Sequence, residues 1–400
     1  MPYAHRRIHD ADGHIMELPN WLYDHADAKT RERMGSVHVA TVAPGEADMI
    51  EKFREQHADP AYRARDEEEL LLRKNWAATG SFIKEDRPAA LDLLGFDSQL
   101  VFNTFTNGKL LAAERADDVD FGYGLAQAHN RAMSDFCSAD PRLLATGYVP
   151  LRDFDRSRAH AEEALELGCQ ALLIPSGCPR GHSPSHLGLD PVWAQAEEAG
   201  LPIVFHVGGG QRLADGQLLD PEYFENGGPP VPDFHGGDEN FRSVDYMAIP
   251  TSQMQTLAVL ILDGVLERHP DLKFGVLEQG ASWLPSWMRF LDSAFDAFHK
   301  REERLQALSL RPSEYVRRQV RVAPYPSEDV GWIIENSADE ICLFSSDYPH
   351  VEGGRNPIKR FEASMERLSE AQKDAFYYTN FIDLMGAGLD QPASPSFANA

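Results

Sequence analysis

The chain has 400 residues, 42% hydrophobic and 25% charged, an ordinary globular composition that allows two or three domains or one large barrel with insertions. Its formal net charge of −25 argues against nucleic acid as a partner, because phosphate binding needs a concentrated basic face. No run of ~18 apolar residues marks a membrane span, and the start MPYAHRRIHD has no apolar core of a secretory signal, so the expected location is the cytoplasm.

In chain order, eight short apolar runs read as strands: 7–12, 98–104, 143–150, 170–175, 202–206, 272–278, 318–323 and 340–347. Long helical patterns such as FDRSRAHAEEALELG and TSQMQTLAVLILDGVLERHP separate them. Strand-helix alternation with buried strands predicts a parallel sheet, and eight units predict an α/β (β/α)8 TIM-type barrel. An open doubly wound sheet is the alternative. The expected organisation is one unit over 1–388, with a helical insertion over about 20–90 after strand one and a lid-like loop over 207–247 after strand five. The insertion also suits a dimer interface. The tail 389–400 is expected to be loosely ordered. Cys137, Cys169, Cys178 and Cys342 show no CxxC pairing and read as reduced thiols, with Cys169 and Cys342 in the core.

Chemistry in such a barrel sits at the C-terminal ends of the strands. The composition predicts about two acid-x-His triplets by chance, and the chain has four: Asp12/His14, Glu55/His57, Asp233/His235 and Glu267/His269. Only Asp12/His14 closes a predicted strand. Glu55/His57 falls on a charged helical face, Glu267/His269 at a helix end and Asp233/His235 in the lid. Other strand ends supply His206, Glu278 and Asp347. Buried polar groups need partners, and one divalent cation shared by Asp12, His14, His206 and Asp347 would satisfy them together. A mixed N/O set suits zinc or manganese, one ion per chain.

With DADGHIMELP, PIVFHVGGG, RHPDLKFGVLEQGASWLP and LFSSDYPHVEG in this order, the chain resembles the amidohydrolase superfamily over almost its whole length. The branch is amidohydrolase-2, which includes aminocarboxymuconate-semialdehyde and gamma-resorcylate decarboxylases. Asp12-x-His14 resembles the variant of the first-strand His-x-His in which a carboxylate comes first, His206 the strand-five ligand and Asp347 the strand-eight aspartate. Many members end strand six with His, whereas Glu278 stands here. Strand four, ending LLIPSG, lacks the bridging Lys of binuclear relatives, so the resemblance implies a mononuclear site. It also implies a homodimer.

The expected activity is metal-dependent decarboxylation, or related C–C cleavage, of a small aromatic or conjugated carboxylic acid. Asp347 would handle the proton, with Glu278 and His350 orienting it or bonding substrate. Arg212 and Arg355 are candidate clamps for an anionic group, His186 a candidate substrate contact, and Phe102, Phe105, Tyr148 and Tyr325 candidate pocket walls. The alternative is hydrolysis of an amide, ester, lactone or C–C bond by a metal-activated water. A barrel retained only as a scaffold ranks last, because all four candidate ligands are present.

Overall fold

The computed structural model describes residues 6–34, 47–208, 227–228 and 243–389. Seven strands form one parallel sheet in sequence order: β1 His9–His14, β2 Ser98–Phe102, β3 Leu143–Tyr148, β4 Ala171–Leu173, β5 Ile203–His206, β6 Phe274–Leu277 and β7 Val320–Val322. All their residues are buried, as expected of parallel strands covered on both faces. Helices follow most strands. Asp118, Asp153, Asp329 and Asn356 cap the helices Val119–Cys137, Phe154–Glu166, Val330–Asn336 and Pro357–Ser364 by accepting from backbone N–H groups. Between β1 and β2 lie short helices, among them Trp21–His25, Ala47–Ala58 and Arg87–Leu94.

The expected eighth strand is irregular. Residues 341–348 bridge the two ends of the sheet through Cys342 opposite Val322 and Tyr348 opposite Gly13. Leu343 N donates to Val322 O, while Phe344 O and Tyr348 O accept from Ala11 and His14. Two diversions prevent a regular ladder: Phe344 N donates to Phe376 O, and Ser346 N donates to the Asp10 carboxylate. Ala11, Leu100, Leu144, Leu173, Val204, Leu277, Ala323 and Leu343, one from each successive sheet position, share an apolar cluster. This is consistent with a TIM-type barrel with a filled interior.

One local departure prepares the site. Asp10 pairs with Gln99 and Gly13 with Val101, so three steps along β1 match two along β2. Such an extra residue re-aims the side chains around it. Asp10 bonds Gln99 and Ser346, whereas Asp12 and His14 converge on His206. Gly13 permits this crossing, because a Cβ there would lie 2.2 Å from Gln99 Cδ.

Candidate metal centre

Asp12 and His14 from β1, His206 at the end of β5 and Glu278 just after β6 each bring a ligand atom within 4.8 Å of the others. Asp12 Oδ1 lies 3.2 Å from both His14 Nε2 and His206 Nε2, and Glu278 Oε2 lies 3.1 Å from His206 Nε2. The far ring nitrogens are committed to carbonyls, His14 Nδ1 to Asn103 O at 3.1 Å and His206 Nδ1 to Val207 O at 3.0 Å. A carbonyl only accepts, so each Nδ1 carries the proton and a neutral ring turns its Nε2 lone pair inward. Phe102 stacks on His206 with 4.5 Å between centroids.

A second group adjoins the first. Asp347 Oδ1 is 3.5 Å from His14 Nε2 and 3.0 Å from His350 Nδ1. The rings of His350 and His14 stack at 4.0 Å. Asp12 Oδ2, His14 Nε2 and both Asp347 carboxylate oxygens are buried without a properly aligned hydrogen bond. Lone pairs facing one another in a dry site repel, and a cation among them removes that cost. The donor set therefore fits a divalent metal. Glu278 and Asp347 both hold a left-handed backbone with φ 52°, and Gly353 packs so closely that a Cβ would lie 2.0 Å from Ser346 O.

Electrostatics agree with deprotonated ligands. Burial pushes the Asp12 carboxyl up, and the positive charge and hydrogen bonds of His206 and His14 in their protonated forms outweigh it and pull the group well below the ordinary range, a stabilisation that a divalent cation would supply once both rings are neutral. Burial, reinforced by His350, lowers His14 to about 4. Asp10 is raised to about 7 by burial, against the hydrogen bonds of Ser346 and Gln99.

The family model described as Amidohydrolase, Amidohydro_2, matches residues 9–384. The chain belongs to the amidohydrolase-2 family. Among solved structures, an amidohydrolase from Mycobacterium avium subsp. paratuberculosis is 24% identical, with a TM-score of 0.71 over 96% of this chain and 100% of that one. A 5-carboxyvanillate decarboxylase from Novosphingobium aromaticivorans, complexed with manganese and 4-hydroxy-3-methoxy-5-nitrobenzoic acid, is 19% identical, with a TM-score of 0.62 over 95% and 96%. A 2,6-dihydroxybenzoate decarboxylase from Rhizobium is 17% identical, with a TM-score of 0.61 over 95% and 98%. These likenesses are of fold. Among curated proteins, none matches the sequence significantly.

In this amidohydrolase the structure brings Asp12, His14, His206, Glu278, Asp347 and His350 together, with Glu278 rather than Asp347 completing the tightest four-residue group. Asp347 groups instead with His14 and His350. Arg355 is exposed. His186 is exposed too, accepting from Gly188 N and stacking on Phe154. Arg212, Asp233, His235 and most of the lid-like loop lie outside the described residues. Tyr325 lines a cavity with Asp12, Glu278 and Asp347, and its hydroxyl donates to Glu278 O. Tyr148 instead bonds the buried Glu114, and Phe105 stacks on Trp76.

Two residues near the site escape sequence reasoning. Lys74 stands at the end of the charged run RDEEELLLRK and donates to Gly354 O at 2.6 Å. Asp10, two residues before Asp12, accepts from Ser346 N, Ser346 Oγ and Gln99 Nε2, while the fully buried Arg87 holds the other end of Gln99. The density of polar residues in strand one is a signal for Asp10. Among the described residues all four cysteines are free, with Cys169 and Cys342 buried, and no helix is long and apolar enough to cross a membrane.

Proposed function

We propose that this chain is a metal-dependent decarboxylase, or a related C–C lyase, acting on a small aromatic or conjugated carboxylic acid. The convergence of Asp12, His14, His206 and Glu278 within 4.8 Å is the observation that carries this. Fold relatives that decarboxylate ring carboxylic acids, one of them with manganese bound, support it. A family match over residues 9–384 likewise supports a single unit over 1–388.

Asp12, His14, His206 and Glu278, with Asp347 beside them, would hold a divalent ion such as manganese or zinc, which would supply Lewis acidity toward a carboxylic acid substrate. Asp347, with its oxygens buried against His14 and His350, gives or removes the proton at the reacting carbon. Tyr325 with Pro324 and Pro326 walls the cavity beside it and limits water. Arg212, Arg355 and His186 are the proposed contacts for substrate polar groups. Hydrolysis is the second reading, favoured by the presence of two carboxylates, Glu278 and Asp347, either of which can take a proton from an attacking water.

The test is elemental analysis of the purified protein, followed by assays of CO2 release from ring carboxylic acids such as 2,6-dihydroxybenzoate and 5-carboxyvanillate, beside ester and lactone panels. About one zinc or manganese per chain, lost in His206→Ala, is expected. Absence of stoichiometric metal after supplementation would overturn both readings, whereas bound metal with hydrolysis alone would select the second.

A further inference from the structure

We propose that Thr104 fixes the tautomer and orientation of His350, and that Glu17 holds Thr104 in place for this purpose. Thr104 lies two residues beyond β2, and its hydroxyl has one proton to give. Its Oγ1 is 2.7 Å from Ile15 O, a carbonyl that can only accept, so the hydroxyl donates there. The same Oγ1 is 2.9 Å from His350 Nε2. With its proton committed, Oγ1 must accept from Nε2–H. A neutral His350 therefore presents a bare Nδ1, and this atom lies 3.0 Å from Asp347 Oδ1. Stacking on His14, with 25° between the planes, holds the ring. The opposite tautomer would give an ionised Asp347 a standing hydrogen bond; the tautomer set by Thr104 lets Nδ1 accept the proton of a protonated Asp347 carboxyl, leaving carboxylate and imidazolium, and return it.

Glu17 supplies the anchor. Its buried carboxylate accepts from three consecutive amides: Thr104 N at 2.9 Å, Phe105 N at 3.1 Å from both oxygens, and Thr106 N at 3.1 Å. Thr106 Oγ1 donates at 2.8 Å. A carboxylate with 1% exposure, directed at one loop, leaves that loop little freedom to move Thr104 away from His350. The catalytic consequence rests on the proposed role of Asp347 and His350; the tautomer does not.

The test uses metal-free protein labelled with [15N]histidine, in which two-bond 15N–1H correlations read the tautomer of each ring and His350→Asn assigns the signal. Wild type and Thr104→Ser are expected to show Nε2–H at His350. Thr104→Val, nearly the same shape without a hydroxyl, is expected to lose that tautomer while the chain stays folded, with a lowered unfolding midpoint because Ile15 O loses its donor. Glu17→Gln, which turns one acceptor into a donor facing the amides, is expected to follow Thr104→Val; unaltered His350 signals would remove Glu17 from the proposal. In the metal-loaded enzyme, kcat/KM should fall about 10- to 100-fold in Thr104→Val and recover in Thr104→Ser. Nδ1–H in wild type, or Nε2–H surviving Thr104→Val, overturns the inference. Because the spectra need neither metal nor substrate, their outcome is separable from that of the decarboxylation assay.

Discussion

Glu278 and Asp347 close two different segments of the sheet in the same left-handed conformation, φ 52° at both, and both reach the same site. A side chain with a Cβ is disfavoured in this region by about 1 kcal/mol or more. Local stability is thus spent on aiming carboxylates. Glu278→Gly should be about 1 kcal/mol more stable to urea than Glu278→Ala, because glycine alone relieves the backbone. Equal midpoints for the two variants would show that the turn stores no strain.

Metal should stabilise the fold through the same residues. If Asp12, His14, His206 and Glu278 hold the ion, manganese at 100 times its dissociation constant should add about 2.7 kcal/mol to unfolding free energy, and chelation should remove it. Asp12→Asn takes one negative charge from between the two imidazoles and should weaken manganese binding by at least tenfold in a calorimetric titration, about 1.4 kcal/mol.

Among the described residues, Lys74 is a cation whose field meets Asp347. Burial is the main cause of its lowered pKa, opposed by the charges of Asp347 and Glu352. Lys74→Met should raise KM for a carboxylate substrate about tenfold with a smaller change in kcat, as expected when uniform binding is lost. An unchanged KM would leave Lys74 with only its bond to Gly354 O.

His129 gives a pH test at a residue outside the candidate metal-ligand groups. Burial lowers its pKa to about 3 from 6.5, so the unfolded chain takes up the proton first as pH falls. Its contribution to stability is complete above about pH 6.5 and is lost at up to about 1.4 kcal/mol per pH unit as pH falls toward 3. Urea unfolding of His129→Gln at pH 7, 6 and 5 should show a shallower acid loss than wild type. Parallel curves would place a protonated imidazole in the folded chain.

His206, Glu278 and Asp347 are legible in the sequence because each ends a short apolar run, where polarity is conspicuous. The irregular eighth segment is not, since LFSSD looks like a strand until Ser346 is drawn to Asp10 and Phe344 to Phe376. Nor is His57, whose charged helical surroundings predict exposure, although it is buried with Nε2 bonded to Trp76 O. Lys74 is lost in a charged run, and Thr104 is an unremarkable hydroxyl until Ile15 and His350 both meet it. Patterning reports which face is apolar; it carries no information about partners 89 or 246 residues away.

The cradle around Glu17 makes the loop after β2 an anion receptor occupied by its own chain. Shortening the tenant, as in Glu17→Ala, leaves the amides of residues 104–106 converging on an empty place the size of a small carboxylate. Formate or acetate is then a chemical substitute for the missing side chain, and activity lost by that variant should return with a saturable dependence on the added acid. Buffer composition thereby becomes a reagent, able to switch the loop back into register without a covalent bond to it.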